Sequence, residues 1–209
     1  MSIASDIASK LLQINAIKLS PQNPFTWASG IKSPIYCDNR MILSYPEIRS
    51  RVIEAFVEKA REFGEADVVV GVATAGIPHG ALVADKMEKP FIYVRSKAKA
   101  HGRQNQIEGK VNPGDKAIVI EDLISTGGSV LKAVEALRQQ NIEVIGVLAI
   151  FTYGFEKAVS AFEAANCPFT TLSNYETMLE EAAKLNYIKP EEIAILQGWR
   201  QAPELWQPA

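Results

Sequence analysis

The sequence predicts an α/β domain with a doubly wound, mainly parallel sheet and a small N-terminal hood. Asp67–Val72, Phe91–Val94, Ala117–Ile120 and Ile142–Phe151 are near-continuous aliphatic runs, the pattern of strands buried on both faces. Helical stretches separate most of them: Gly76–Met87, Gly127–Gln140 and Phe155–Ala165. Strands and helices that alternate in this way wind into a parallel sheet covered on both sides.

The elements follow in chain order. Ile3, Ile7, Leu11 and Ile14 recur at helical spacing and predict a helix over Ser2–Ile14. Ala16–Leu19, Phe25–Trp27 and Ile35–Asp38 read as short β pieces, punctuated by Pro21, Pro24, Gly30 and Pro34. Pro46 and Glu47 open a second helix that carries Ile48, Val52 and Phe56 on one face and stops at Gly64. The tail holds two more helices, Asn174–Leu185 and Pro190–Arg200. The 209 residues are read as one domain: helix and hood over 1–45, α/β core over 46–172, C-terminal helices over 173–209. Arg95–Asn112, about eighteen residues without an apolar pattern, is read as a mobile functional loop.

Composition narrows the function classes. A formal net charge of −2 gives no global electrostatic case for nucleic acid or an anionic membrane. Two cysteines, Cys37 and Cys167, lack metal-ligand spacing and fit free thiols in a reducing cytoplasm. Asp6 and Lys10 interrupt the N-terminal apolar pattern, which is not that of a signal peptide. The longest apolar run, Val144–Phe151, is far shorter than the roughly 20 residues a bilayer span needs.

Chemistry concentrates in Ile118–Val130, IVIEDLISTGGSV. Glu121 and Asp122 close a buried strand, where open α/β sheets bind their ligands. The helix beginning near Gly127 points its unpaired N–H groups at the same place, so Ser125, Thr126, Gly127, Gly128 and Ser129 form an anion cradle. An anion beside two acids fits a ribose 5-phosphate, its vicinal hydroxyls on the acids and its phosphate in the cradle. A metal site on the paired acids and simple helix capping are the alternatives. Walker A and Gly-x-Gly-x-x-Gly motifs are both absent. A second small-residue turn, Val72–Gly76, lets backbone approach an anion closely; a plain strand-to-helix turn explains it equally well. Arg95, Lys97, Lys99, His101 and Arg103 fall at alternate positions and share one face of an extended chain. A solvated charge run, a nucleic-acid stripe and an anion clamp compete there. No aromatic residue interleaves the charges, which weakens the second.

VIEDLISTGGS resembles the 5-phosphoribosyl 1-diphosphate (PRPP) signature of type I phosphoribosyltransferases. Phe25–Arg40 (FTWASGIKSPIYCDNR), Gly71–Gly80 (GVATAGIPHG) and Arg95–Gly102 (RSKAKAHG) resemble the orotate phosphoribosyltransferases in particular, and in the expected order. The resemblance implies transfer of phosphoribosyl from PRPP to orotate, giving orotidine 5′-monophosphate and pyrophosphate; Mg²⁺ is expected because pyrophosphate needs a hard cation that keeps several waters. It implies PRPP binding by Arg95, Lys99, His101 and Glu121, Asp122, Leu123, Ile124, Ser125, Thr126, Gly127, Gly128, Ser129. Lys99, His101 and Asp122 are the implied catalytic groups. Ala73, Thr74, Ala75 and Gly76 become the pyrophosphate loop, with a cis peptide near Ala73–Thr74. A homodimer is implied, with the basic loop shared between subunits. The chain departs from one branch of the family at Ala28, where that branch has Lys, and at Thr152–Tyr153, where it has Arg. Ser125, Lys32 and Arg40 are the orotate candidates that remain. Asp38 is read as holding a turn or pairing with Arg40, His79 as structural or a neighbour of the helix dipole, Trp199 and Trp206 as packing or interface residues, and Tyr36 as core or base pocket. A phosphoribosyltransferase for another base, or a PRPP-sensing nucleic-acid regulator, are the alternative functions; the second lacks any added basic surface or motif.

Overall fold

The computed structural model describes residues 2–27, 30–96 and 106–207. The chain divides into two compact units, residues 1–46 with 173–209, and residues 47–172.

The larger unit is the α/β core. Helix α2 (Pro46–Ala60) leads through a 3₁₀ turn at Arg61–Phe63 into β5 (Val68–Val72), all five of whose residues are buried. Then come α3 (Gly76–Met87), β6 (Phe91–Val94), β7 (Ile107–Glu108), β8 (Lys116–Ile124), α4 (Gly128–Arg138), β9 (Glu143–Thr152), α5 (Glu156–Ala164) and β10 (Phe169–Asn174). The sheet order is β10-β9-β8-β5-β6-β7. β6, β5, β8 and β9 run parallel; β7 returns antiparallel along β6. The chain leaves β5 toward β6, then crosses back to place β8 on β5's other side. Winding therefore reverses between β5 and β8, and right-handed crossovers put α3 on one face of the sheet and α4 and α5 on the other. The core on one face joins Val70, Val119 and Val147 of the strands to Val130, Val134 and Leu137 of α4 and Phe162 of α5.

The smaller unit gathers both chain ends. Its elements are α1 (Ile3–Gln13), β1 (Ile17–Leu19), β2 (Phe25–Thr26), β3 (Lys32–Ser33), β4 (Ile35–Cys37), a 3₁₀ turn at Asn39–Ser44, α6 (Tyr175–Lys184) and α7 (Pro190–Gln201). Ser2 caps α1 by accepting from the Ser5 N–H, and Asn174 caps α6 by accepting from Thr177 N–H. β1 pairs with β4 and β2 with β3, both antiparallel. Trp199 of α7 is fully buried, edge-on to Trp27 and beside Tyr175, and its indole N–H donates to the Lys32 carbonyl at 3.2 Å. Its role is packing, as the sequence reading held.

Four elements depart from the sequence reading. β8 does not end at Ile120. It continues through both acids to Ile124, because Leu123 and Ile124 pair with Phe151 and Thr152 of β9. β3, β7 and β10 were not expected. β3 and β7 are two residues long, too short for any periodicity to register. β7 pairs antiparallel with β6, and beside that pairing the Arg95 N–H donates to the Gln106 carbonyl at 2.8 Å. Ile107 and Glu108, inside the Arg95–Asn112 stretch read as a loop, are therefore strand. Lys97, Lys99, His101, Gly102 and Arg103, with Ala28, lie outside the described residues. Among the described residues, no helix is long and apolar enough to cross a membrane.

Candidate active site

The switch between β5 and β8 brings two turns together. The loop after β5 holds Ala73–Gly76, and the Ala73–Thr74 peptide is cis, the conformation the resemblance implied. The loop after β8 holds Ser125–Gly127. Parallel pairing sets Gly71 against Ile120, so both loops leave the sheet at the same edge. Gly76 fixes how closely they approach. A Cβ there would run into the Ile120 carbonyl oxygen and come within 3.4 Å of the Glu121 Cα. The first turn of α3 therefore lies directly on the end of β8.

Gly127 begins the second turn at φ +80°, a left-handed conformation that a side chain strains. Among the described residues no side chain caps α4, whose first turn opens at Gly128. Its first N–H groups remain available to a ligand, and the partial positive charge of the helix end favours an anion there. Thr126, Gly128 and Ser129 are exposed. Ile124 differs: its side chain is 1% exposed and part of the core, so it offers the site only backbone. Its carbonyl already accepts from Thr152 Oγ1 at 2.9 Å. A cavity of ≈ 610 Å³ runs from Ala73 past Arg95 and Ser96 to Gly128 and Ser129. It links Ala73 of the first turn and the start of α4 to Arg95 and Gln106 at the end of β6; Glu121 and Asp122 are not in its lining.

The acids differ in setting. Glu121 is 6% exposed, and its Oε1 accepts from the Asp122 N–H at 2.9 Å. Burial pushes its carboxyl up to about 9, and a hydrogen bond and the charge of the Asp122 side chain add to the rise. Near neutral pH Glu121 therefore keeps its proton. Asp122 is half-buried. Glu121 can thus donate as well as accept.

Other predicted residues fall into place. Arg95 lines the cavity and lies 3.6 Å from Glu108, across the hairpin stem. Lys32 and Arg40 belong to the smaller unit. Lys32 Nζ donates to Thr26 Oγ1 at 2.8 Å. Arg40 grips Asp38 with two bonds, Nε at 2.6 Å and Nη2 at 2.9 Å. That hydrogen bond with Arg40 holds the Asp38 carboxyl below its ordinary range. Asp38 also accepts from the Arg40 N–H, so it holds the turn as read. Tyr153 is 2% exposed, edge-on to Phe151 and stacked on Phe155.

Sequence reasoning missed Lys132, which also lines the cavity. It stands four residues after Gly128, one turn up the same helix face, and that spacing was the available signal. His79 was set aside as structural. It is fully buried on α3.

A phosphoribosyl transferase domain profile matches residues 38–178. The chain is 54% identical over 207 residues to the orotate phosphoribosyltransferase of Listeria innocua, covering 99% of both chains. It is 56% identical over 201 residues to that of Bacteroides fragilis, covering 96% of this chain and 95% of that one. The solved structure of orotate phosphoribosyltransferase from Aeropyrum pernix matches with a TM-score of 0.76 at 29% identity, over 88% of this chain and 99% of that one. Identity above one half along nearly the whole length of both chains decides the matter, and the chain belongs to the orotate phosphoribosyltransferases.

Proposed function

We infer that the protein transfers the 5-phosphoribosyl group of PRPP to orotate, giving orotidine 5′-monophosphate and pyrophosphate, a step of pyrimidine biosynthesis. One observation carries the site assignment: two backbone anion turns and an acid pair meet where the sheet reverses its winding. Ser125–Ser129 cradle the 5-phosphate on the uncapped end of α4. Glu121 and Asp122 hold the two ribose hydroxyls, the protonated Glu121 donating to one oxygen and Asp122 accepting from the other. Ala73–Gly76 take the pyrophosphate, with Arg95, Lys99 and His101 closing from the hairpin. Ser125 and Lys32 read orotate. Lys32 precedes Arg40 in this assignment because its ammonium is held by a neutral hydroxyl, whereas Arg40 is already paired with Asp38.

The reaction breaks the bond from ribose C1 to the pyrophosphate oxygen and forms one from C1 to the orotate ring nitrogen. Positive charge grows on the ribose ring as negative charge grows on the leaving group. Asp122 steadies the first and the basic groups the second; both interactions strengthen in the transition state, which is where they accelerate the reaction. Mg²⁺, when bound with pyrophosphate, neutralises charge that would resist its departure. Among the described residues no three of His, Cys, Asp and Glu converge, while carboxylates and hydroxyls supply hard oxygens nearby. That donor set fits a cation held mainly through substrate oxygens and water. We place the enzyme in the cytoplasm as a homodimer.

The test follows orotate absorbance in the presence of PRPP and Mg²⁺. The wild-type protein consumes orotate. Asp122→Asn lowers kcat by roughly a hundredfold, the scale of losing one preorganised electrostatic group, with the fold retained. Full activity in that variant removes the acid pair from the mechanism.

A further inference from the structure

His79 has no place in that mechanism, yet its setting is unusual. It is 0% exposed, and among the described residues neither Nδ1 nor Nε2 has a hydrogen-bond partner. A neutral imidazole carries one N–H donor and one acceptor, and buried polar groups are rarely left without partners. Its position is specific. It lies three residues after Gly76, on the buried face that Gly76, Gly80 and Val83 share. Gly76 rests on the Ile120 carbonyl and the Glu121 backbone, so this face meets the end of β8. Burial pushes the imidazole down to about 4, and the one opposing pull comes from the Asp122 carboxylate. The ring is therefore a neutral donor within electrostatic reach of the acid assigned to the ribose.

We propose that His79 is a positioning residue for the transfer reaction: its ring N–H donates to the Asp122 carboxylate when ribose engages, fixing the rotamer that meets the diol. The inference rests on the assignment of Asp122 above. The Asp122 carboxylate then accepts from His79 while the Asp122 N–H keeps its bond to Glu121. Because His79 rides on the first turn of α3, it also ties the diol acid to the helix that follows the Ala73–Gly76 loop. Occupancy of the pyrophosphate turn and orientation of the diol acid become one event.

The experiment compares His79→Leu, His79→Asn and His79→Gln, each alone and in an Asp122→Asn background. Leu keeps the volume and removes both nitrogens. Removal of an unpartnered buried polar group leaves Tm equal or higher, so a loss of activity at full stability separates positioning from packing. His79→Leu is expected to lose activity toward PRPP by roughly tenfold, the scale of one hydrogen bond to a charged group. KM for orotate stays within about twofold. Asn or Gln, whose amide supplies a donor, recovers part of the loss. In the Asp122→Asn background, His79→Leu adds less than about twofold, because the residue acts through Asp122. Wild-type kinetics in His79→Leu, equal losses in Leu, Asn and Gln, or a full additive loss in the double variant each overturn the proposal. Full activity in Asp122→Asn alone overturns instead the assignment beneath it. A second readout needs no variant in the site's α3 turn. The chain has two histidines, so ¹⁵N imidazole spectra are simple, with His101→Ala assigning the free state. Addition of PRPP shifts the protonated ring nitrogen of His79 if the bond forms; an unchanged resonance at saturation overturns the proposal.

Discussion

Glu121 holds a proton that the unfolded chain gives up. Its pKa rises from 4.5 to about 9 on folding, through burial first and the Asp122 side chain second. Between those values the native state binds more protons than the unfolded state, so stability falls as pH rises. The contribution is whole below about 4.5 and is lost as pH climbs through about 9. Glu121→Gln keeps the shape and has no proton to lose. Its Tm should gain on wild type steadily from pH 5 to pH 9, by calorimetry at each pH. Parallel Tm curves would mean that Glu121 is ionised in the fold. The acid pair itself was readable in sequence, because two acids after three aliphatic residues stand out. Which acid keeps the proton was not: it depends on burial created by residues far along the chain. His79 shows the same limit. Its helical position was visible, but its lack of hydrogen-bond partners among the described residues arises only when α3 lies on β8.

At the scale of elements, the four parallel strands and the helices between them were legible, because buried strands need unbroken aliphatic runs and helices need their own period. What stayed hidden was decided by neighbours. β8 passes through two acids because β9 offers Phe151 and Thr152 as partners, and Thr152 Oγ1 secures the Ile124 carbonyl. β7 exists because Tyr93 and Val94 pair with Glu108 and Ile107. The contact that matters most is between α3 and β8, and it passes through a glycine. Gly76→Ala puts a methyl against the Ile120 carbonyl and must lift the first turn of α3. Overpacking of this kind costs about 1–3 kcal/mol. The Ala73–Gly76 turn moves with the helix, so KM for PRPP should rise by tenfold or more, while secondary structure by circular dichroism is kept. Wild-type KM for PRPP in a folded Gly76→Ala protein would show that the pyrophosphate turn tolerates displacement, and would separate it from the acid pair.

For the whole molecule, the open matter is how the basic hairpin reaches a site. Its stem is described: Tyr93 and Val94 pair with Glu108 and Ile107, and Arg95 bonds Gln106. Ten residues, 96–105, join Arg95 to Gln106, and a chain that must leave and return within ten residues extends at most roughly 17 Å at about 3.3 Å per residue. A loop shared between subunits needs the neighbouring site within that distance of the stem, which a closed two-fold dimer can arrange. Mixing inactive parents measures it. Lys99→Ala carries a disabled hairpin and an intact pocket; Asp122→Ala carries an intact hairpin and a disabled pocket. If hairpins act in trans, each hybrid dimer has one site with both defects and one with neither. Random re-association makes about half the dimers hybrid, so roughly a quarter of wild-type activity returns. If hairpins act in cis, every site keeps one defect and nothing returns. Mixed samples with hybrids confirmed by mass spectrometry, yet no more active than their parents, would end the shared-hairpin model and leave each subunit to close its own site.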